Sequence, residues 1–248
     1  MIDVALCVVY SDFHFFEETL ESVKDFVKEI VFLVPSQTWS GHVDKENNTK
    51  VISIINDYLK EQNGKLIRVD TTNQADTLNF GLDFINDKNK DVLILDSDEI
   101  WDEKSKVNFL KYYENHRQYD IFLVHFHTYF KSIKWRIDPP QDLKACVLIK
   151  SFVRFLNARR TNSHNYKIVP KELVCLHHPS HVRDDYFMKI KVENCHERDR
   201  IINWYNDVWK NWAPDIVDFH PIIPEAFHSV VKVNKEDLPK ILHKYLTE

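Results

Sequence analysis

Four short apolar runs punctuate the first hundred residues, at 4–9, 30–34, 66–69 and 92–95. Each is rich in β-branched side chains, which predicts strands buried on both faces. Between the runs, apolar residues recur at helical spacing: Phe16, Leu20, Val23 and Val27; then Val51, Ile54, Ile55, Tyr58 and Leu59; then Ala75, Leu78, Leu82 and Ile85. Strand and helix therefore alternate, as in an α/β fold with a parallel sheet and right-handed crossovers. Ligands of such sheets bind beyond the carboxyl ends of the strands.

The texture changes after residue 102. A helix is predicted over 104–113, a strand over 120–127 with Ile121, Leu123 and His125 on one face, and a strand over 145–149 beyond the Asp138-Pro139-Pro140 break. A long amphipathic helix or helix pair follows over 184–212. Leu238, Ile241, Leu242 and Tyr245 then space out a short terminal helix, and His220-Pro221-Ile222-Ile223-Pro224 reads as an extended strap. With no repeat or low-complexity linker, residues 1–248 read as one domain, in which 106–248 elaborates on 1–105.

Composition narrows the chemistry. The chain has three glycines in 248 residues, Gly41, Gly64 and Gly81, where an average chain has roughly 7%. No two lie close enough to cradle a phosphate, so the P-loop and the dinucleotide fingerprint are both excluded. Cys7, Cys146, Cys175 and Cys195 lack CxxC spacing and read as buried free thiols, which suits a reducing compartment. The N-terminal apolar run is too short for a signal peptide or a membrane span, so a cytoplasmic protein is expected. The net charge of −5 hides a basic block: residues 131–171 carry ten Lys and Arg against Asp138 and Asp142. Such a block fits either a nearby phosphate or a solvated face.

The most informative segment is Asp91-Val92-Leu93-Ile94-Leu95-Asp96-Ser97-Asp98-Glu99. A buried strand ends and at once presents carboxylates, with Asp96 and Asp98 on the same side of an extended backbone. Two such charges repel unless a cation lies between them, and hard oxygen ligands suit Mg2+ or Mn2+. The plainer reading is an Asp-rich turn capping the strand. A second dense segment, His177-His178-Pro179-Ser180-His181-Val182-Arg183, ends an apolar run and offers a nitrogen ligand to complement the carboxylates.

Val8-Val9-Tyr10-Ser11-Asp12, Glu18-Thr19-Leu20-Glu21-Ser22-Val23, Asn79-Phe80-Gly81-Leu82 and Asp96-Ser97-Asp98-Glu99 together resemble the first strand and turn, first helix, third helix and metal-binding Asp-x-Asp of family 2 glycosyltransferases of the GT-A fold. The resemblance covers about the first 105 residues, and the remainder through isolated motifs. It implies a Rossmann-like, mostly parallel sheet flanked by helices, with residues 1–105 as the nucleotide-sugar half and a helical, acceptor-side second half. It also implies metal ligands Asp96, Asp98 and, by alignment on Val182-Arg183, His178. Tyr10, Asp12, Asp70, Asn79 and Ser97 become donor contacts. The acidic turn usual after the second strand is replaced by Val34-Pro35-Ser36-Gln37-Thr38-Trp39-Ser40-Gly41, leaving Trp39 either to stack on the base or to pack in the core.

The implied reaction is a metal-dependent, inverting transfer from a nucleotide diphosphate sugar, a UDP-sugar in the first instance, to a hydroxyl. Arg183 and Lys189 are expected to neutralise the leaving diphosphate. The base is open among Asp138, His164 and Glu172, with Asp138 favoured by its stiff Pro-Pro loop. Trp204, Tyr205, Trp209 and Trp212 form a helical stripe that reads as core packing, with acceptor stacking as the other use. The short, Asn- and Lys-rich chain also resembles bacteriophage transferases, some of which glycosylate hydroxymethylated bases in DNA, an acceptor the basic block at 131–171 would suit. Readings of another class are a sugar nucleotidyltransferase and a non-catalytic nucleotide-sugar-binding protein.

Overall fold

The computed structural model describes residues 1–71, 73–85, 87, 89–194 and 198–246. The four apolar runs become β1 (Val4–Val8), β2 (Ile30–Pro35), β3 (Gly64–Val69) and β4 (Asp91–Asp96), and the periodic stretches become α1 (Phe16–Val23), α2 (Lys45–Leu59) and α3 (Gln74–Phe84). These strands lie in the order β3-β2-β1-β4, all parallel. Asp44 and Asn73 start α2 and α3 by accepting the Asn47 and Asp76 amides on their side chains, the usual N-cap device. Register sets the geometry of the site. Val8 lies opposite both Leu33 and Asp96, so the turn after β1 and the acidic turn after β4 leave the sheet side by side.

The second half continues this sheet. After α4 (Glu103–Glu114) come β5 (Ile121–Phe130), β6 (Ser132–Asp138), β7 (Gln141–Lys150), a β8–β9 hairpin (Phe155–Asn157, Arg160–Thr161), β10 (Tyr166–Ile168) and β11 (Cys175–His181). β7 joins antiparallel to both β4 and β5, while β10 and β11 pair parallel with β5. The expected helix pair appears as α5 (Asp185–Asn194) and α6 (Arg198–Trp204), and β12 (Ser229–Lys232) edges the sheet against β6. The expected short terminal helix is a 3-10 helix at Lys240–Leu246. Strands β6 and β12 are not among the expected elements, although Ser132–Asp138 alternates polar and apolar residues in strand period.

One sheet face packs Phe16, Leu20, Val51, Ile55, Phe109 and Tyr113 from α1, α2 and α4. The other packs Ala75, Leu78 and Leu82 of α3 with Phe155. α3 sits so close that a Cβ on Gly81 would stand 2.5 Å from Leu33 Cδ1. A third cluster surrounds Phe130 with Trp204, Tyr205, Trp209, Phe219 and Phe227, and Trp212 packs on it, so the aromatic stripe is core. Cys7, Cys146 and Cys175 are buried free thiols; Cys195 lies outside the described residues. Among the described residues no helix is long and apolar enough to cross a membrane.

Candidate active site

A cleft of about 360 Å³ opens at the carboxyl ends of β1, β2 and β4. Its floor is Val8 to Asp12 and the turn Asp96-Ser97-Asp98; one wall is Gln37, Thr38 and Trp39, and the other is β11 and α5. α5 contributes Phe187, Ile190, Lys191 and Asn194, an i, i+3, i+4, i+7 set that shares one helix face. Tyr10 fixes the far corner by accepting the Asp44 amide on its hydroxyl at 2.8 Å.

Charge organises the floor. Arg183 binds Asp12 through two nitrogens, reaches Asp98 Oδ2 at 3.3 Å and donates from Nε to the Ser180 carbonyl. Lys191 lies 3.3 Å from the same Asp98 oxygen and is held by the Ser180 hydroxyl at 2.6 Å. His178 Nε2 faces Asp98 Oδ1 at 3.5 Å. Burial would raise the Asp98 carboxyl, but Lys191, His178 and Arg183 hold it well below the usual carboxylate range. Asp98 is thus an ionised, nearly inaccessible carboxylate ringed by cations.

Asp96 belongs to an adjoining network. Arg159, from the turn of the β8–β9 hairpin, binds Asp96 at 3.0 Å, Glu99 at 2.8 Å and the Cys146 carbonyl at 2.7 Å. Glu99 is buried and receives the Asp96 amide, with burial first among the influences that raise its carboxyl. Thr19 of α1 donates to the Ser97 carbonyl, pinning the acidic turn to the first helix. Neither Arg159 nor Lys191 was singled out by motif, although the helical phase of α5 distinguishes Lys191.

The expected residues divide accordingly. Tyr10, Asp12, Trp39, Asp96, Ser97, Asp98, His178 and Arg183 line the cleft. Trp39 is half-buried and also packs against the second core face. Lys189 points off the cleft and pairs with Glu193 at 3.8 Å. Asp70 is exposed, accepts from Ser36 and does not line the cleft. Asn79 does not reach the cleft: its amide exchanges two hydrogen bonds with the Phe155 backbone, as a strand partner would. Among the three base candidates, Asp138 precedes a cis proline and accepts Ser229 on its carbonyl, His164 is in an exposed loop, and Glu172 lines a second cavity with Asp102, His127 and His177. None borders the cleft. Of the basic block, Lys131, Lys150, Arg154 and Arg159 are committed to Asp185, Asp91, Asp83 and the Asp96–Glu99 pair, which leaves a thinner positive surface than the sequence count implies.

No family model matches the chain, and no curated protein matches it. Among solved structures it is similar to S. aureus TarS 1–349 in complex with UDP-GlcNAc, with a TM-score of 0.49, 11% identity, and coverage of 84% of this chain and 72% of that one. A second structure of S. aureus TarS 1–349 gives 0.48 and 13% over 79% of this chain and 66% of that one. HddC from Yersinia pseudotuberculosis gives 0.46 and 10% over 76% and 97%. The chain spans 43% of a longer TarS structure. These are likenesses of chain path between mixed α/β proteins, at identities that carry no side-chain correspondence.

Proposed function

We propose that the chain is a nucleotide-sugar-dependent glycosyltransferase that moves a sugar from a nucleotide diphosphate sugar to an acceptor hydroxyl with inversion. The observation that carries this reading is the convergence of Asp96 and Asp98 with Arg183 and Lys191 in one cleft at the strand ends. With no glycine-rich loop to supply backbone amides, a bound diphosphate has to be met by side chains and a cation.

Charge balance favours a divalent ion. Four carboxylates (Asp12, Asp96, Asp98, Glu99) face three permanent cations (Arg159, Arg183, Lys191) in these networks. A diphosphate adds further negative charge, which a divalent cation offsets. His178 Nε2 and Asp98 Oδ1 form a nitrogen–oxygen pair at 3.5 Å, at the outer limit for a hydrogen bond and chemically suited to Mn2+ or Mg2+. Among the described residues no three His, Cys, Asp or Glu side chains form a ready cage. The proposed ion would be held by Asp98 and His178, with Asp96 beside them, and completed by phosphate oxygens. When bound, such an ion would stabilise the charge of the leaving diphosphate. Arg183 and Lys191 are placed to take up the rest of that charge, and because they are held before substrate arrives their reorganisation cost is small.

A thermal-shift panel of UDP- and GDP-sugars with and without Mn2+, run on the wild type, Asp98→Ala and His178→Ala, tests this. Stabilisation that needs metal and disappears in both variants is expected. Equal stabilisation in all three proteins would refute the site. Release of pyrophosphate from a nucleoside triphosphate and a sugar 1-phosphate, with no nucleoside diphosphate released from any nucleotide sugar, would make the chain a nucleotidyltransferase.

A further inference from the structure

The cleft holds one titratable group that the donor reading leaves unused. His14 lines the cleft beside Asp12 with its side chain 21% exposed, and its Nδ1 stands 3.6 Å from Asp12 Oδ1. The ring is held on both sides: it stacks on Phe13 at 4.6 Å between centroids and meets the edge of Phe187 from α5 at 4.3 Å. Asp12 in turn is immobilised by the two-nitrogen grip of Arg183. The sequence Arg183, Asp12, His14 is therefore a chain of orientation that ends on an imidazole at the cleft surface.

The other cleft groups are engaged. Asp98 is ringed by Arg183, Lys191 and His178, Asp96 is bound by Arg159, and Asp44 caps α2. An imidazole with a carboxylate on its Nδ1 side can keep its lone pair on Nε2 and accept a proton there. The charged groups around this pair are Asp12 itself, Arg183 and Lys191 across it, Asp98 beyond them, and Lys50 of α2 over the Phe13 ring at 5.0 Å.

We propose that His14 is the general base of the transfer. This rests on the glycosyltransferase reading above. The acceptor hydroxyl gives its proton to His14 Nε2 as its oxygen bonds to the anomeric carbon; the electron pair of the breaking bond from that carbon to the diphosphate oxygen leaves on the diphosphate; the imidazolium then releases its proton to solvent. Phe187 and the exposed Tyr186, whose rings lie 5.2 Å apart, give the acceptor an aromatic approach to the base.

The test uses the intact chain, UDP as the affinity probe, and UDP-glucose and UDP-GlcNAc as donors with water as the acceptor. His14→Gln is expected to lower UDP release by about 10²–10⁴-fold while UDP affinity stays within about threefold. Turnover retained within threefold overturns the proposal, as does a parallel loss of UDP affinity, which would make His14 a donor contact. If the wild type binds UDP but turns over neither sugar, imidazole 15N NMR decides: the Nδ1–H tautomer of His14 supports the base, and the Nε2–H tautomer overturns it. A wild type that binds no nucleoside diphosphate removes the donor reading, and this proposal with it.

Discussion

Arg183 grips Asp12 across 171 residues of chain through two parallel hydrogen bonds, Nη1 to Oδ1 at 2.9 Å and Nη2 to Oδ2 at 2.8 Å. The pair ties the turn after β1 to the segment after β11, and the same guanidinium spans to Asp98. Lysine supplies the charge but not the fork. Arg183→Lys should therefore keep much of the fold yet weaken UDP binding at least tenfold. Arg183→Ala leaves two carboxylates short of a buried partner and should cost about 3 kcal/mol. Calorimetric titration with UDP and urea denaturation separate the two effects.

Asn79 sits in a helix motif that resembles a donor-binding one, yet its amide replaces a strand partner for Phe155, with both hydrogen bonds at 2.9 Å. Asn79→Ala should cost about 1–3 kcal/mol in unfolding free energy. UDP affinity should stay within twofold. A loss of affinity without a loss of stability would return Asn79 to the donor site.

Acid stability should be governed from two directions. Burial, helped by His177 and Arg136, pushes the His127 imidazole down to about 3, and burial drives His181 well below its ordinary value. A histidine kept neutral in the fold but free to charge when unfolded favours unfolding as pH falls, so its penalty begins near the unfolded value of roughly 6.5. Each such proton steepens the decline by up to about 1.4 kcal/mol per pH unit, and His127 accounts for one of them down to about pH 3. Asp12, Asp98 and Asp102 are held below the usual carboxylate value against the opposing effect of burial. Their contribution is complete above the unfolded value near pH 4 and disappears below it. Urea denaturation at intervals from pH 7.5 to 3.5 should show stability falling from about pH 6.5. His127→Asn should flatten the slope between pH 6.5 and 4 by about one proton.

The parts of this architecture that could be read from the chain are those where one local rule coincides with the tertiary answer. Runs such as Val92 to Leu95 are apolar on both faces because β4 is covered on both sides, and carboxylates placed straight after a strand can only emerge at its carboxyl end. Other residues depend on partners distant in sequence. Glu172 and Asp138 have suitable chemistry for a base, but the pairing of β5 with β11 and of β6 with β12 carries both away from the cleft. Arg159 counts as one more charge in a basic block until the β8–β9 turn delivers it beneath Asp96. His14 lies in a turn whose chemistry depends on Asp12 being clamped from residue 183.

Lys189 and Lys191 provide the sharpest internal control, since they are two residues apart on α5 and differ mainly in phase. Helical periodicity places Lys191 with Phe187, Ile190 and Asn194 on the cleft, where it contacts Asp98 and Ser180. Lys189 stands about 200° around the helix, with its side chain 57% exposed and a long 3.8 Å contact to Glu193. An exposed pair of that kind contributes about 0–1 kcal/mol, so Lys189→Met should leave both stability and UDP affinity within error. Lys191→Met removes one of the cations that counter the buried Asp98 charge and one of those expected to meet the diphosphate. It should weaken UDP binding about 10–100-fold, equivalent to about 1.4–2.8 kcal/mol. Isothermal calorimetry on the two variants side by side checks this, and equal affinities would show that the α5 face does not meet the phosphates.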